Sequence, residues 1–209
     1  MNRYILNDLR KWRQSKRRKP LVLRGARQVG KTWVLKEFGK EFKDGFVCID
    51  FDKQPEYCQF FETTKDVHRV IKNLSLASGR KITTDTLLIF DEIQACPNAL
   101  NSLKYFCEDA PEYYIASAGS LLGLAPAGGF PVGKVDFLDM GPMTFKEFLL
   151  ADGDENLVSY MGSLEGIEPI PDAFALPLGN TGADGGGLTL SLSFCIMLRK
   201  SFGSGSGKL

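Results

Sequence analysis

The stretch LVLRGARQVGKTWVLKEF, residues 21–38, changes character twice in a short span. Residues 21–23 are apolar without polar alternation, the pattern of a strand buried on both faces of a parallel sheet. Residues 31–42 carry a helical pattern in which Trp33, Val34, Leu35 and Phe38 supply apolar contacts, with Trp33 expected in the core. Between them, GARQVGKT at residues 25–32 matches G-x-x-x-x-G-K-[ST], a phosphate-binding loop, in the strand-then-helix context that supports it. The residue types follow from the chemistry. A β-phosphate must nest against successive backbone N–H groups, which a Cβ at the glycine positions would obstruct. The loop then leads the phosphate to a helix N-terminus carrying about half a positive charge. Lys31 is placed to reach the β- and γ-phosphates, and the Thr32 hydroxyl to ligate Mg²⁺. The expected nucleotide contacts in the loop are Gly25, Ala26, Arg27, Gln28, Val29, Gly30, Lys31 and Thr32. For Arg27, as for Arg24 just before the loop, a solvent-facing position is the alternative.

A second acidic element complements the loop. Residues 86–90, TLLIF, are the best strand candidate in the chain and lead into Asp91-Glu92-Ile93-Gln94. Both carboxylates then fall at the carboxyl end of the sheet, where ligands of open α/β folds bind. Asp91 suits a Mg²⁺ shell, usually through water, because Mg²⁺ keeps several waters and takes few carboxylates. Glu92 is the candidate to orient and deprotonate an attacking water, with Lys31 as the other catalytic residue. The alternative for Asp91 and Glu92 is a surface turn. The strand candidate YYIAS at 113–117 ends in Ala-Gly-Ser, so Ser117 or, by preference, Ser120 would bring a hydroxyl towards the γ-phosphate; a plain small-residue turn reads equally well. Asp50 and Asp52 read as caps on a strand end.

With 44% hydrophobic and 24% charged residues, the 209-residue chain has the composition of a soluble globular protein with room for a real core. No apolar run approaches the ~18 residues of a bilayer span, and MNRYILNDLRKW lacks the apolar region of a signal peptide. A cytoplasmic location without membrane association is therefore expected. Cys48, Cys58, Cys96, Cys107 and Cys195 are an odd number without C-x-x-C spacing and read as reduced and mostly buried, while His68 is the only histidine and offers no partner for a metal site. Net charge is +1, yet thirteen of the 26 Lys and Arg residues lie in residues 1–40, against Asp8 and Glu37 alone. Such a cluster suits a polyanion, either nucleic-acid or nucleotide phosphate; a solvated helix face is the alternative.

Along the chain, Asn2 is placed to cap a basic amphipathic helix running to about Gln14, with Ile5, Leu9 and Trp12 on its apolar side. Pro20 closes the following SKRRK stretch. Further strands are expected at 46–51 and 135–138 and further helices around 67–79, at 98–108, and from the capping box Thr144-Phe-Lys-Glu147 onward. Strands alternating with helices predict an α/β three-layer sandwich around a mostly parallel central sheet. The expected organisation is a basic helix over residues 1–20, an α/β domain over 21–175, and a poorly ordered Gly/Ser-rich tail over 176–209. Eight of the 22 glycines lie in residues 179–207, and LTLSLSF at 188–194 would make an exposed edge strand prone to aggregation.

Taken together, GARQVGKT, TLLIFDEIQ, LKYFCEDAPEYYIASAGSLLG and FPVGKVDFLDMGPMTFKEFL resemble the prokaryotic AAA-superfamily ATP-binding proteins in which a P-loop domain precedes a domain of unknown function. The resemblance covers roughly residues 1–175. It implies an AAA-like P-loop NTPase fold with ATP and Mg²⁺, Gly25, Gly30, Lys31 and Thr32 serving as Walker A and Asp91 and Glu92 as Walker B. Hydrolysis of ATP to ADP is the implied activity, with a nucleotide-dependent switch or a DNA-associated module as the alternative; DNA would be met by the N-terminal basic segment. Two departures stand out. Family members continue beyond an IPDAF-like segment into a C-terminal domain, whereas here residues 170–174 lead into the Gly-rich tail, so a truncated or frame-shifted product is expected. Further, no arginine lies between Arg80 and Arg199. AAA enzymes stabilise the transition state with an arginine from a neighbouring subunit, and such fingers are worth about 10³–10⁵ in rate. Slow turnover by the isolated chain is the corresponding expectation; a homo-oligomer is a separate one. FPVGKV and PMTFKEFL mark the family without giving Lys134 or Glu147 a chemical task.

Overall fold

The computed structural model describes residues 3–119, 133–153 and 155–163. Strands β1 (Leu21–Arg24), β2 (Phe46–Asp50), β3 (Leu87–Asp91), β4 (Tyr114–Gly119) and β5 (Asp136–Asp139) form one sheet in the spatial order β2-β3-β4-β1-β5, with every pairing parallel. Parallel neighbours need long crossovers, and helices supply them. The helices are α1 (Ile5–Gln14), α2 (Lys31–Gly39), α3 (Gln59–Glu62), α4 (Val67–Ser78), α5 (Pro97–Asp109), α6 (Phe145–Asp152) and α7 (Glu155–Ser163). The chain divides into two compact units, Met1–Gly153 and Asp154–Leu209, and α7 belongs to the second.

Period-two alternation sorts the strand side chains into two cores. Val22, Val47, Ile49, Leu88, Phe90 and Ile115 join Val70, Ile71 and Leu74 of α4 and Leu103 and Phe106 of α5 in one cluster. Leu21, Leu23, Leu87, Ile89, Ala116 and Ala118 join Leu9 and Trp12 of α1 and Val34, Leu35 and Phe38 of α2 in the other. The α/β three-layer P-loop architecture expected from the sequence is therefore present, and the sheet is parallel throughout. β3 is buried along its whole length, as TLLIF requires. The N-terminal helix is part of this unit: Trp12 contacts Phe38 and Tyr114 edge-on or tilted, and its indole Nε1 donates to the Lys19 carbonyl at 2.9 Å.

Helix ends explain the departures from the expected boundaries. α4 is capped by Asp66, which accepts from the backbone N–H groups of His68 and Arg69, and it ends on Gly79 at φ 64°. α6 opens with the complete Thr144–Glu147 capping box. α1 starts at Ile5 with no side-chain cap, and Asn2 lies outside the described residues. Instead, Tyr4 N–H at the start of α1 donates to Glu147 Oε1 at 2.8 Å, so a carboxylate from α6 serves that end. α2 stops at Gly39, because Glu41 and Phe42 bond three residues back rather than four, which still delivers Phe42 to the core. Among the described cysteines only Cys96 is buried; Cys48, Cys58 and Cys107 are half-buried and free. Cys195, the 188–194 strand and the 176–209 tail lie outside the described residues.

Gly25 shows what the fold demands of the loop. Its φ is +156°, and a Cβ there would collide with the Met140 carbonyl oxygen just past β5, whose own N–H donates to the Arg24 carbonyl at 2.8 Å. The obstruction expected from a phosphate thus already comes from the chain itself. Gly25→Ala is predicted to lower the unfolding free energy by about 1–3 kcal/mol in denaturant titrations. A midpoint equal to wild type would contradict this packing.

Candidate functional site

The loop at residues 25–30 joins β1 to α2 at the carboxyl end of the sheet, and β3 ends at the same edge with Asp91. α2 makes its first backbone bond from Val34 N–H to the Gly30 carbonyl, so the preceding helical amides have no intrahelical acceptor and open toward the loop. Gly30 sits at φ 92° and Gln28 at φ 63°, the turn that swings the chain into the helix. Ala26, Arg27 and Gln28 are exposed, Gly25, Val29, Gly30 and Thr32 are half-buried, and Lys31 is buried.

Lys31 Nζ donates to the carbonyls of Gly25 at 2.9 Å and Ala26 at 2.7 Å, curling back over its own loop. Burial lowers its pKa, and the nearby carboxylates of Glu92 and Asp91 oppose that shift. Asp91, 5% exposed, responds in the opposite sense. Burial raises its pKa, the neighbouring Thr32 hydroxyl and the Glu92 N–H at 3.1 Å hold it down, and the charges of Asp50 and Glu92 push it up again. Thr32, Lys31, Asp91 and Glu92 are thus brought together at one edge of the sheet. Glu92 adopts a left-handed backbone at φ 46°, and its side chain accepts a short hydrogen bond from Gln94 Nε2. The Gln94 Oε1 atom is buried without a partner among the described residues.

Other candidates resolve differently. The Ser117 hydroxyl is committed to the Leu21 carbonyl at 2.9 Å inside the sheet, and Ser120 lies outside the described residues. Asp50 accepts from Asp52 N–H, Lys53 N–H and Lys53 Nζ, the strand-end cap expected of it; burial pushes its pKa up, and the Lys53 bonds outweigh that and bring it down. Trp33 is not a core residue: it is 38% exposed because its position on α2 turns away from the sheet. It lines a cavity of about 470 Å³ beside the loop, together with Arg3, Gln28, Gly30, Pro142 and Met143. Much of the basic cluster binds the chain itself. Arg10 pairs with Glu41, Lys11 with Asp8, Arg24 with Asp139, and Lys40 with Glu37, while Arg18 stacks on Tyr114 and donates to the Pro111 carbonyl. Among the described residues no group of three or more His, Cys, Asp or Glu side chains could hold a metal ion, and no helix is long and apolar enough to cross a membrane.

Three neighbouring residues were not singled out by the sequence: Gln94 is visible there only as part of DEIQ, Glu147 only as half of a capping box, and Arg3 only as one cation of the basic N-terminal cluster.

An all-parallel sheet carrying a glycine-bracketed loop, a buried lysine and a strand-end carboxylate defines a P-loop nucleotide-binding domain. The family model of an AAA domain matches residues 17–149, more than half of the chain, and the chain belongs to that family. Solved structures to which the chain is similar include C. elegans PCH-2, 15% identical with a TM-score of 0.43, over 86% of this chain and 51% of that one. AMPPCP-bound DnaA from Aquifex aeolicus is 14% identical with a TM-score of 0.37, over 89% and 56%. Pif1 helicase from Candida albicans is 15% identical with a TM-score of 0.39, over 82% and 44%. The chain thus spans about half the length of these structures. No curated protein matches it.

Burial of Asp91 yields a prediction. A carboxyl group whose folded pKa is raised weakens the fold above that pKa, and the penalty vanishes as pH falls below its unfolded value. Asp91→Asn is therefore expected to raise the denaturation midpoint of the nucleotide-free protein at neutral pH, with the gain fading towards the ordinary aspartate range. A loss of stability at neutral pH would contradict the desolvation assigned to this group.

Proposed function

We propose that the chain binds ATP with Mg²⁺ and hydrolyses the β–γ phosphoanhydride bond, slowly when isolated. The observation that carries this reading is the meeting of buried Lys31 with Asp91 and Glu92 at one edge of the sheet. The residues fit the groups they would hold. Loop amides and the N-terminus of α2 receive the phosphates, and Lys31 exchanges the Gly25 and Ala26 carbonyls for β- and γ-phosphate oxygens. The Thr32 hydroxyl and Asp91 are the chain's donors for the metal, which when bound would neutralise charge on the β- and γ-oxygens. Glu92 accepts the proton of the attacking water as its oxygen bonds to the γ-phosphorus and the bond to the bridging oxygen breaks, releasing ADP and phosphate. The Gln94 amide fixes where the Glu92 carboxylate starts. The cavity beside the loop, with Trp33, Pro142 and Met143 on its walls, suits the nucleoside.

Slow turnover follows from the arginine-free stretch between Arg80 and Arg199. The same feature favours, as a second reading, a nucleotide-dependent switch, and self-association would be one route to a missing cation. Mg-ATP binding and phosphate release measured on wild type, Glu92→Gln and Lys31→Ala separate these readings. Wild-type turnover is predicted well below the ~10 s⁻¹ typical of enzymes, lost in Glu92→Gln with binding retained, and Lys31→Ala should bind at least about tenfold more weakly. Unchanged turnover in Glu92→Gln would overturn the assignment of Glu92, and binding without any wild-type turnover would favour the switch.

A further inference from the structure

We propose that Arg3, clamped by Glu147, is a positioning residue for the phosphate-binding loop. The proposal rests on the nucleotide reading above. A buried arginine is costly unless it is paired and hydrogen-bonded, and Arg3, with 5% of its side chain exposed, donates from each of its three guanidinium nitrogens. Nε donates to Glu147 Oε1 at 3.1 Å, Nη1 to the Val29 carbonyl at 3.2 Å, and Nη2 to the Gly141 carbonyl at 3.0 Å. Glu147, 3% exposed, is saturated in turn. Its Oε1 also accepts from Tyr4 N–H at 2.8 Å, and its Oε2 accepts from Thr144 N–H at 2.8 Å and from the Thr144 hydroxyl at 3.0 Å. The PMTFKEFL segment, which had no chemical task in sequence, thus anchors the guanidinium from one side while the guanidinium reaches the loop from the other.

The bond to Val29 has a directional consequence. A trans peptide is planar, with its C=O and N–H pointing opposite ways. Holding the Val29 carbonyl on Arg3 therefore turns the Gly30 N–H away from Arg3, towards the inside of the loop where a phosphate oxygen would sit. Because the Arg3 charge is already matched by Glu147, its contribution is orientation of that peptide rather than attraction of the phosphate. Lysine would keep the ion pair but, as a point charge on a flexible stem, could not fork to three acceptors in fixed directions. Arg3 also lies before the 17–149 segment matched by the AAA domain family.

The test uses the whole chain as wild type, Arg3→Lys, Arg3→Met and Glu147→Gln. Mg-ATP affinity is measured by calorimetry, amide hydrogen exchange across residues 25–32 is followed without nucleotide, and thermal midpoints are recorded alongside. Arg3→Met is expected to weaken Mg-ATP about tenfold or more and to speed exchange in the loop while α4 exchange is unchanged, with Arg3→Lys intermediate. Glu147→Gln should act in the same direction, and combining it with Arg3→Met should add little. A folded Arg3→Met protein with a lowered thermal midpoint but wild-type affinity and loop exchange would reduce the residue to structural support and overturn the proposal. If Arg3→Met does not fold, Arg3→Lys decides by the same two readouts. If wild type binds no ATP, the nucleotide reading fails by itself, and loop exchange in the nucleotide-free Arg3→Lys protein still decides the role of Arg3: faster exchange supports it and unchanged exchange overturns it.

Discussion

Everything at this site depends on strand direction. Because all five strands run parallel, β1 and β3 present their carboxyl ends at one edge, and the loop after β1 meets the acidic end of β3 there although β4 lies between the two strands. The consequence is electrostatic. Lys31 and Asp91 are both withdrawn from water, and burial works against the charge of each, while the Glu92 and Asp91 carboxylates favour the charge of Lys31 and the Thr32 hydroxyl and Glu92 N–H favour that of Asp91. The two non-glycine residues with positive φ among those described, Gln28 and Glu92, stand at this same edge, one in the loop and one beside Asp91. Left-handed backbone at ordinary residues costs about 1–3 kcal/mol and persists only where surrounding structure enforces it. Burial of opposite charges and backbone strain therefore coincide at one place, as expected where a fold is shaped for a ligand.

The surrounding layers do more than bury apolar surface. The two cores on either side of the sheet each take side chains from both β1 and β3, and α1 and α2 pack together in one of them. From α6, the Glu147 carboxylate reaches the start of α1 and the Arg3 guanidinium, and Arg3 continues to the Val29 carbonyl. Segments distant in sequence, at the N-terminus and after β5, thus converge on the peptide that precedes α2. Gly25 is tied to the same region from another direction, through its close approach to Met140. The loop's shape is set by its neighbours as well as by its own glycines.

Much of this fold was legible in the sequence because its signals are local. The apolar runs at 21–23 and 86–90, the glycine-bracketed loop, the Asp91-Glu92 pair and the Thr144–Glu147 box each depend on a few adjacent residues, and each maps onto the element expected of it. What could not be read depends on contacts across more than a hundred residues. Arg3 looked like one more cation in a basic N-terminus, and only the fold brings it to Glu147. The cations of the basic N-terminus were visible as a cluster, but their partners were not: Arg10 meets Glu41, Lys11 meets Asp8, Arg18 meets the Pro111 carbonyl and Arg24 meets Asp139. Trp33 was misplaced for a related reason: hydrophobicity indicated core, but its place on α2 relative to Val34, Leu35 and Phe38 turns it towards the cavity beside the loop. The constraint at Gly25 was expected from a ligand and is instead supplied by Met140, a partner that no local pattern announces.

The central claim is that the edge formed by the loop and the end of β3 is a site for a triphosphate and its metal. The most direct measurement is a calorimetric titration of the full chain with ATP, with and without Mg²⁺. The account predicts saturable binding at one nucleotide per chain that tightens when Mg²⁺ is present. Absence of binding heat, together with a thermal midpoint that ATP and Mg²⁺ leave unmoved, would contradict it.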